Sequence, residues 1–272
     1  MTATTAPTPA EVRPRQPREP LPKWVPGLAG VVIMLVIWQI VGMTMFESAS
    51  GQHLVPTPPQ IIAEMFDDGW AFYWANIKTT ASEAFWGWTY GNAIAVILAV
   101  SFVQVPFLER ALLRLAVAVY CLPIIAVGTI FAVIFEGSTS KIVLAAMAVF
   151  FPTMVGMVVG LRSADSNSLD LVRAYGGGSW RQLVKVRLRA CLPSLFAALR
   201  IAAPAAVLGA VIGEYIGGES GLGVAMIASQ QASAVETTWG LALAITALSG
   251  VGYAITAFVG DRLTTWAPKV ER

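Results

Sequence analysis

Arg200 and Glu214 stand inside one long apolar run, Glu136 closes a second and Glu83 opens a third. Ionisable side chains in such runs are costly to place in lipid, so each is a candidate for lining a path or for pairing between helices. A second concentration of chemistry lies at 168–193, "SLDLVRAYGGGSWRQLVKVRLRACLP", with five basic residues, one acid and a triple glycine in an otherwise apolar chain. Other chemistries lack their residues. The chain holds one histidine, His53, so neither a histidine metal cluster nor a Ser/His/Asp triad can be assembled. Cys121 and Cys191 are far apart, form no metal spacing and read as small buried hydrophobes. No Gly-Lys pair occurs, so there is no phosphate-binding P-loop. No metal site, no cofactor and no catalytic cluster is expected in this chain.

The elements that position these residues follow from composition. The 272 residues are 56% hydrophobic and 12% charged, about half the charge of a typical soluble domain. The net charge of +2 is too small to argue for nucleic acid. Six apolar runs, 26–46, 84–103, 115–135, 142–161, 192–217 and 237–260, are each long enough to cross a bilayer as a helix. Continuous apolarity excludes the alternation of barrel strands, so the spans are helical. Residues 1–22, rich in Pro, Thr and Arg, read as a disordered tail. A cleaved signal peptide ending at the "SAS" of 48–50 competes for the first run, but that run exceeds the usual apolar length.

With the N-terminus inside, the inner segments hold 15 Lys and Arg and the outer segments two, Lys78 and Lys141. Both termini are therefore expected in the cytosol. Arg200 then lies near the inner end of the fifth span, where snorkelling to the headgroups accounts for it. Glu214 lies fourteen residues further, about 21 Å along a helix and near the outer end. It lines the translocation path or an outer gate, pairs with a neighbouring helix, or faces external water. Glu136, at the outer mouth, either disfavours anionic solutes or is simply hydrated, and Glu83 is expected to be hydrated. The first outer loop carries a short amphipathic helix with Ile61, Ile62, Met65 and Phe66 on one face. Gly87/Gly91, Gly156/Gly160 and Gly209/Gly213/Gly217 recur at a spacing of four, which suits close helix approach. The last series could instead give a smooth surface at a pore or subunit seam.

Segment 168–193 becomes the longest inner loop. Asn167 reads as an N-cap with Asp170 at the third helical position, and the glycines 176–178 end that helix. Ser179 restarts one in an S-x-x-Q capping box with Gln182. Trp180, Val184 and Leu188 form an apolar stripe among Arg181, Lys185, Arg187 and Arg189. A short helix, a sharp corner and an amphipathic helix joined rigidly to the fifth span are expected. Docking to a partner protein and contact with lipid phosphates both suit that design.

In this loop the chain resembles the inner-membrane permease subunits of binding-protein-dependent ABC importers, whose loop reads E-A-A, three residues, G, nine residues, I-x-L-P. Asp170 stands for the Glu, Leu171 and Val172 for the alanines, Gly176 for the Gly, Val186 for the Ile and Leu188 for the Leu; Arg189 departs from the Pro. "LVPTPPQIIAEM", "FFPTMVGMVVGLRSAD", "CLPSLFAALRIA", "GAVIGEYIG" and "SGLGVAMI" are similar to the nitrate/sulfonate/taurine-type branch, over roughly 50 to 262. Ile134-Phe135-Glu136 departs from the Trp-Phe-Gly of such relatives.

The resemblance implies an all-α integral membrane protein, a type I importer permease with six transmembrane helices, in the plasma or inner membrane. With the composition, it divides the chain into a disordered cytosolic tail 1–22, a first helix and outer loop 23–75 with its short amphipathic helix, a core 76–264 of five transmembrane helices with the coupling loop 163–191, and a cytosolic tail 265–272. It implies a second permease subunit, two cytosolic ATPase subunits that carry ATP and magnesium, and an extracytoplasmic solute-binding protein. Asp170, Leu171, Arg173, Ala174, Tyr175, Gly176, Gly177, Trp180 and Arg181 would meet the ATPase, and Glu136 and Glu214 are candidates for the solute path. The solute would be small: nitrate, bicarbonate, a sulfonate, a pyrimidine precursor or an aromatic acid. A stand-alone secondary transporter or channel, with no ATPase, is the alternative.

Overall fold

The computed structural model describes residues 25–44 and 55–267. The tail 1–22, His53, the 48–50 "SAS" and residues 268–272 lie outside them. Among the described residues every regular element is helical, as the lack of backbone partners in lipid requires. The chain divides into two compact units at Pro58 and Pro59. In the first, α1 (Val25–Thr44) carries no charge. Its Trp38 Nε1 donates to Pro56 O at 3.2 Å, and Gly42 lies against Val55 and Thr57.

The second unit opens with α2 (Pro58–Asp68). The face expected from the sequence is split: Ile61 is fully buried, Met65 packs near Tyr73, and Ile62 and Phe66 remain exposed. The spans α3 (Trp70–Gln104), α6 (Thr139–Arg162), α9 (Leu188–Gly217) and α11 (Val235–Leu263) form the bundle. Between them stand α4 (Pro106–Tyr120), α5 (Ile124–Ile134), α7 (Ser166–Ala174), α8 (Ser179–Gln182) and α10 (Leu222–Gln231). Five segments, α1 included, are long and apolar enough to cross a membrane, and α4 with α5 supplies a sixth, bent by 92°. The run 115–135, expected as one helix, therefore breaks at Cys121 to Pro123. Pro123 offers no N–H and pushes Leu122 out of helical geometry.

The small-residue stripes are where the helices meet. Gly87 and Gly91 of α3 face Ala145, Ala146 and Val149 of α6, and Gly156 and Gly160 of α6 face Cys191, Ser194 and Ala198. Gly209 and Gly213 face the backbone of Leu144, Ala145 and Lys141, so these two glycines are spent on α6. One buried polar bond crosses the α3–α6 contact: Thr153 Oγ1 donates to Asn92 Oδ1 at 2.6 Å. Thr153→Val keeps the shape but orphans the amide oxygen. It should lower the stability of the detergent-solubilised chain by about 1 kcal/mol, the upper part of the range for such bonds in membranes. An unchanged denaturant midpoint would show that the bond is idle.

Candidate functional site

The charged loop is built from both ends. Asp165 is the N-cap of α7: its Oδ2 accepts from the Ser168 backbone N–H and the Ser168 hydroxyl, each at 3.0 Å. The cap is thus Asp165 rather than Asn167, since a carboxylate serves both donors and suits the positive helix end. The same bonds hold the Asp165 carboxyl below the usual carboxylate range. A lowered folded value means stabilisation present above the unfolded carboxyl value and lost as pH falls through the folded one. Asp165→Ala should speed amide exchange at Ser168 and Leu169 severalfold, with Asp165→Asn near wild type; equal exchange in all three would refute the cap.

At its far end α7 closes in a Schellman turn. Gly177 N–H donates to Val172 O and Gly176 N–H to Arg173 O, both at 2.8 Å, and Gly176 adopts φ +74°. The expected S-x-x-Q capping box does not form. Gly178 is the N-cap of α8 and the Ser179 side chain makes no cap bond. Gln182 is buried, and its Nε2 reaches back to Leu169 O at 3.2 Å. That bond ties α8 back onto α7, thirteen residues away, in place of the cap.

From Ser179 the chain continues unbroken through a π-helical turn, Leu183–Arg187, into α9, a 39-residue rod ending at Gly217. Leu183 is buried beside Phe102, Leu161 and Cys191, and Arg187 Nη1 donates to Leu161 O at 3.2 Å, so the rod's π-helical turn is anchored to α6. The corner itself is open. Leu171, Arg173, Ala174, Tyr175, Gly176, Trp180 and Arg181 are exposed, Tyr175 at 82%, whereas Gly177 is buried against Val172. Asp170 pairs with Arg173 at 3.1 Å on that surface, a contact of little energetic weight in water. Arg200 reaches the exposed end of α11, where its Nη2 meets Asp261 Oδ1 at 2.6 Å.

The candidates at the other end of the rod separate. Glu136 is exposed in the α5–α6 loop. Glu214 is 1% exposed and part of a polar cluster that the sequence does not display as a unit. Thr80 Oγ1 donates to Glu214 Oε1 at 2.6 Å and accepts from Leu222 N–H at 2.9 Å. Gly223 N–H donates to Glu214 Oε2 at 2.6 Å, and Gly221 N–H to Asn76 Oδ1 at 3.3 Å. Three successive amides opening α10 are thereby satisfied by α3 and α9, as a buried helix start requires. Glycine at 221 and 223 follows, since a Cβ at either position would strike the Glu214 side chain. Glu83, expected to be hydrated, is instead 5% exposed and lies beside Glu214. Lys141 is equally buried, and its Nζ donates to Gly137 O at 2.7 Å. Asn76, Thr80 and Glu83 fall at i, i+4 and i+7 on α3, a polar stripe whose spacing could have revealed the cluster.

The comparisons place this architecture. Residues 91–266 match the model of the family "Binding-protein-dependent transport system inner membrane component". A "Probable ABC transporter permease protein" of Haemophilus influenzae is 29% identical over 220 residues, 80% of this chain and 88% of the relative. The "Riboflavin transport system permease protein RibX" of Chloroflexus aurantiacus is 30% identical over 195 residues, 71% of this chain and 72% of the relative. The "Formylaminopyrimidine transport permease protein ThiX" of Halalkalibacterium halodurans is 28% identical over 193 residues, 71% and 76%. Among solved structures, a chain of the MetNI methionine ABC transporter in inward-facing form shares the fold, with TM-score 0.52 and 21% identity, over 73% of this chain and 95% of that one. With its apolar spans, its charged loop and a family match over most of its length, the chain belongs to the binding-protein-dependent transport system inner membrane components and is a multi-pass inner-membrane permease subunit of the ABC transporter type.

Proposed function

We infer that the chain is one half of the membrane channel of an ATP-driven importer. It pairs with a second permease subunit, most simply a second copy of itself, above two ATPase subunits that bind ATP and magnesium. Solute reaches it from an extracytoplasmic binding protein and crosses by alternating access. Both termini and the α7–α8 corner face the cytosol, which the 15-to-2 distribution of basic residues supports. Asp170, Leu171, Arg173, Ala174, Tyr175, Gly176, Gly177, Trp180 and Arg181 form the ATPase contact. The observation that carries this reading is the exposed aromatic and basic corner, held by a Schellman turn at one end of a continuous rod into the membrane. A floppy loop would dissipate a push from the ATPase, whereas this one passes it to α9. The relatives named for riboflavin and formylaminopyrimidine support a small organic solute.

The test is purification of the full chain from its own membranes in mild detergent. The complex should carry an ATPase in fixed ratio and hydrolyse magnesium-ATP, and replacing 176–178 should release the ATPase while the chain still inserts. A chain that purifies folded and alone, and conducts or exchanges solute in vesicles without ATP, would be the stand-alone transporter instead.

A further inference from the structure

The bent span made by α4 and α5 breaks inside the apolar run 115–135. At the break Leu122 N–H donates to Val119 O and Val127 N–H to Pro123 O. Among the described residues, the N–H groups of Ile124, Ile125 and Ala126 and the carbonyls of Tyr120, Cys121 and Leu122 find no backbone partner. Tyr120, Cys121 and Leu122 are exposed rather than packed beneath other helices. Irregular backbone at membrane depth is tolerated only inside protein or beside water, because lipid leaves each such group unsatisfied. The exposed break therefore faces an aqueous space, which in a permease is the solute path.

A cavity of about 750 Å³ opens at that break, within the usual size range of small-molecule sites. Tyr120 and Ile124 come to it from the bent span, Tyr90 from α3, Met147 and Phe151 from α6, and Ala205 from α9. Ala205 is near the middle of the run 192–217, so the cavity lies deep in the membrane. No Lys, Arg, His, Asp or Glu lines it. Tyr120 stacks on Phe151 with ring centroids 4.4 Å apart and planes 20° from parallel, and Tyr90 stacks on Trp86 at 5.5 Å. Both tyrosines are half-exposed, and neither hydroxyl meets a hydrogen-bond partner among the described residues. Aromatic faces with free hydroxyls suit a flat ring with polar edges. A full negative charge would lose its water there and meet no cation.

The end of the chain that the basic residues assign to the outside argues the same way. Glu64, Asp67, Asp68, Glu136, Glu219 and Glu236 are at least partly exposed there, and Lys78 is the one exposed base at that end among the described residues. Such a field lowers the local concentration of anions.

We propose that this cavity is a solute subsite of the translocation path, that it takes a planar, uncharged aromatic or heteroaromatic ring against Tyr120 and Phe151, and that it rejects oxyanions. This rests on the importer reading and names its solute class.

The test uses the full chain assembled with its ATPase in nanodiscs, with binding measured by equilibrium dialysis against empty nanodiscs, both nucleotide-free and trapped with ATP-vanadate. Four matched probes separate charge from shape: neutral quinoline-3-carboxamide, its carboxylate, its N-methyl cation, and the saturated decahydronaphthalene-2-carboxamide. The neutral planar probe should bind saturably in at least one state, and at least about tenfold more tightly than each of the other three. Phe151→Leu keeps the bulk and removes the ring face, and should weaken that binding at least about fivefold, whereas Phe151→Trp stays within about twofold of wild type. Tyr120→Leu, at a half-exposed position, should act like Phe151→Leu and serves if that variant does not fold. Phe66→Leu, an exposed ring outside the cavity, should change nothing. No saturable binding in either state, equal binding of the carboxylate, the cation or the saturated probe, or Phe151→Leu and Tyr120→Leu chains that fold and bind like wild type would each overturn the subsite. These results leave the importer reading standing as long as the ATPase copurifies; a chain that assembles with no ATPase overturns that reading instead.

Discussion

Replacing Gly209 by leucine should leave the chain unable to seat α9 against α6. A Cβ at this position already lies 2.7 Å from Ala145 Cα and 2.9 Å from Leu144 O. Both are backbone atoms of a packed helix, so no rotamer change can relieve the overlap. The helices must part, and the cluster of Ala145, Val149, Ala206 and Ala210 beneath them loses its contacts. In lipid there is little hydrophobic force to hold the pair together at a larger separation, because dispersion contact is most of the attraction. Overpacking alone costs about 1–3 kcal/mol in ordinary cores, and the lost helix contact adds to it. Thermal unfolding in detergent should therefore show a large fall for Gly209→Leu and a smaller one for Gly209→Ala. Gly250→Ala is the control, since nothing lies within 4 Å of its Cβ. A Gly209→Leu chain that melts like wild type would mean that α6 and α9 do not approach this closely.

Gly176→Pro should act at the opposite end and in the opposite way, sparing the bundle and removing the corner. Proline fixes φ near −65°, whereas Gly176 adopts +74°. It also deletes the N–H that bonds Arg173 O. Space is not the obstacle, for nothing lies within 4 Å of a Cβ there. Gly176→Ala therefore isolates the conformational term, about 1–2 kcal/mol for an L-residue in the left-handed region, and Gly176→Asn should be milder. With the turn undone, α7 no longer stacks on α8 and the row from Leu171 to Trp180 loses its shape. On the importer reading, ATPase binding should weaken at least about tenfold, or 1.4 kcal/mol, while the melting of the membrane core stays unchanged. Normal ATPase binding by the Pro variant would sink the corner as the contact.

What could be read from residues in order was what depends on short stretches. Hydropathy over about twenty residues marked the spans, and a glycine after a helical period marked the corner at Gly176. The break at Pro123 was also legible in principle, since proline acts on its immediate neighbours. Two caps were misassigned because several polar residues in a row can serve. Asp165 outcompetes Asn167 by accepting two bonds, and Gln182 turns to Leu169 O, thirteen residues away.

The sequence by itself determined a helical membrane chain, its apolar spans and a basic loop with a left-handed glycine corner, because each follows from local solvation or local backbone geometry. Only the tertiary structure decided which charges are buried. Glu83 and Lys141 look like ordinary span-end charges until α3, α6 and α9 bring them beside Glu214, and Thr80 looks like a helix-surface hydroxyl until α10 starts against it. Whether a charge meets water is a property of what the rest of the chain places over it, and Glu214 lies 131 residues from Glu83 and 134 from Thr80.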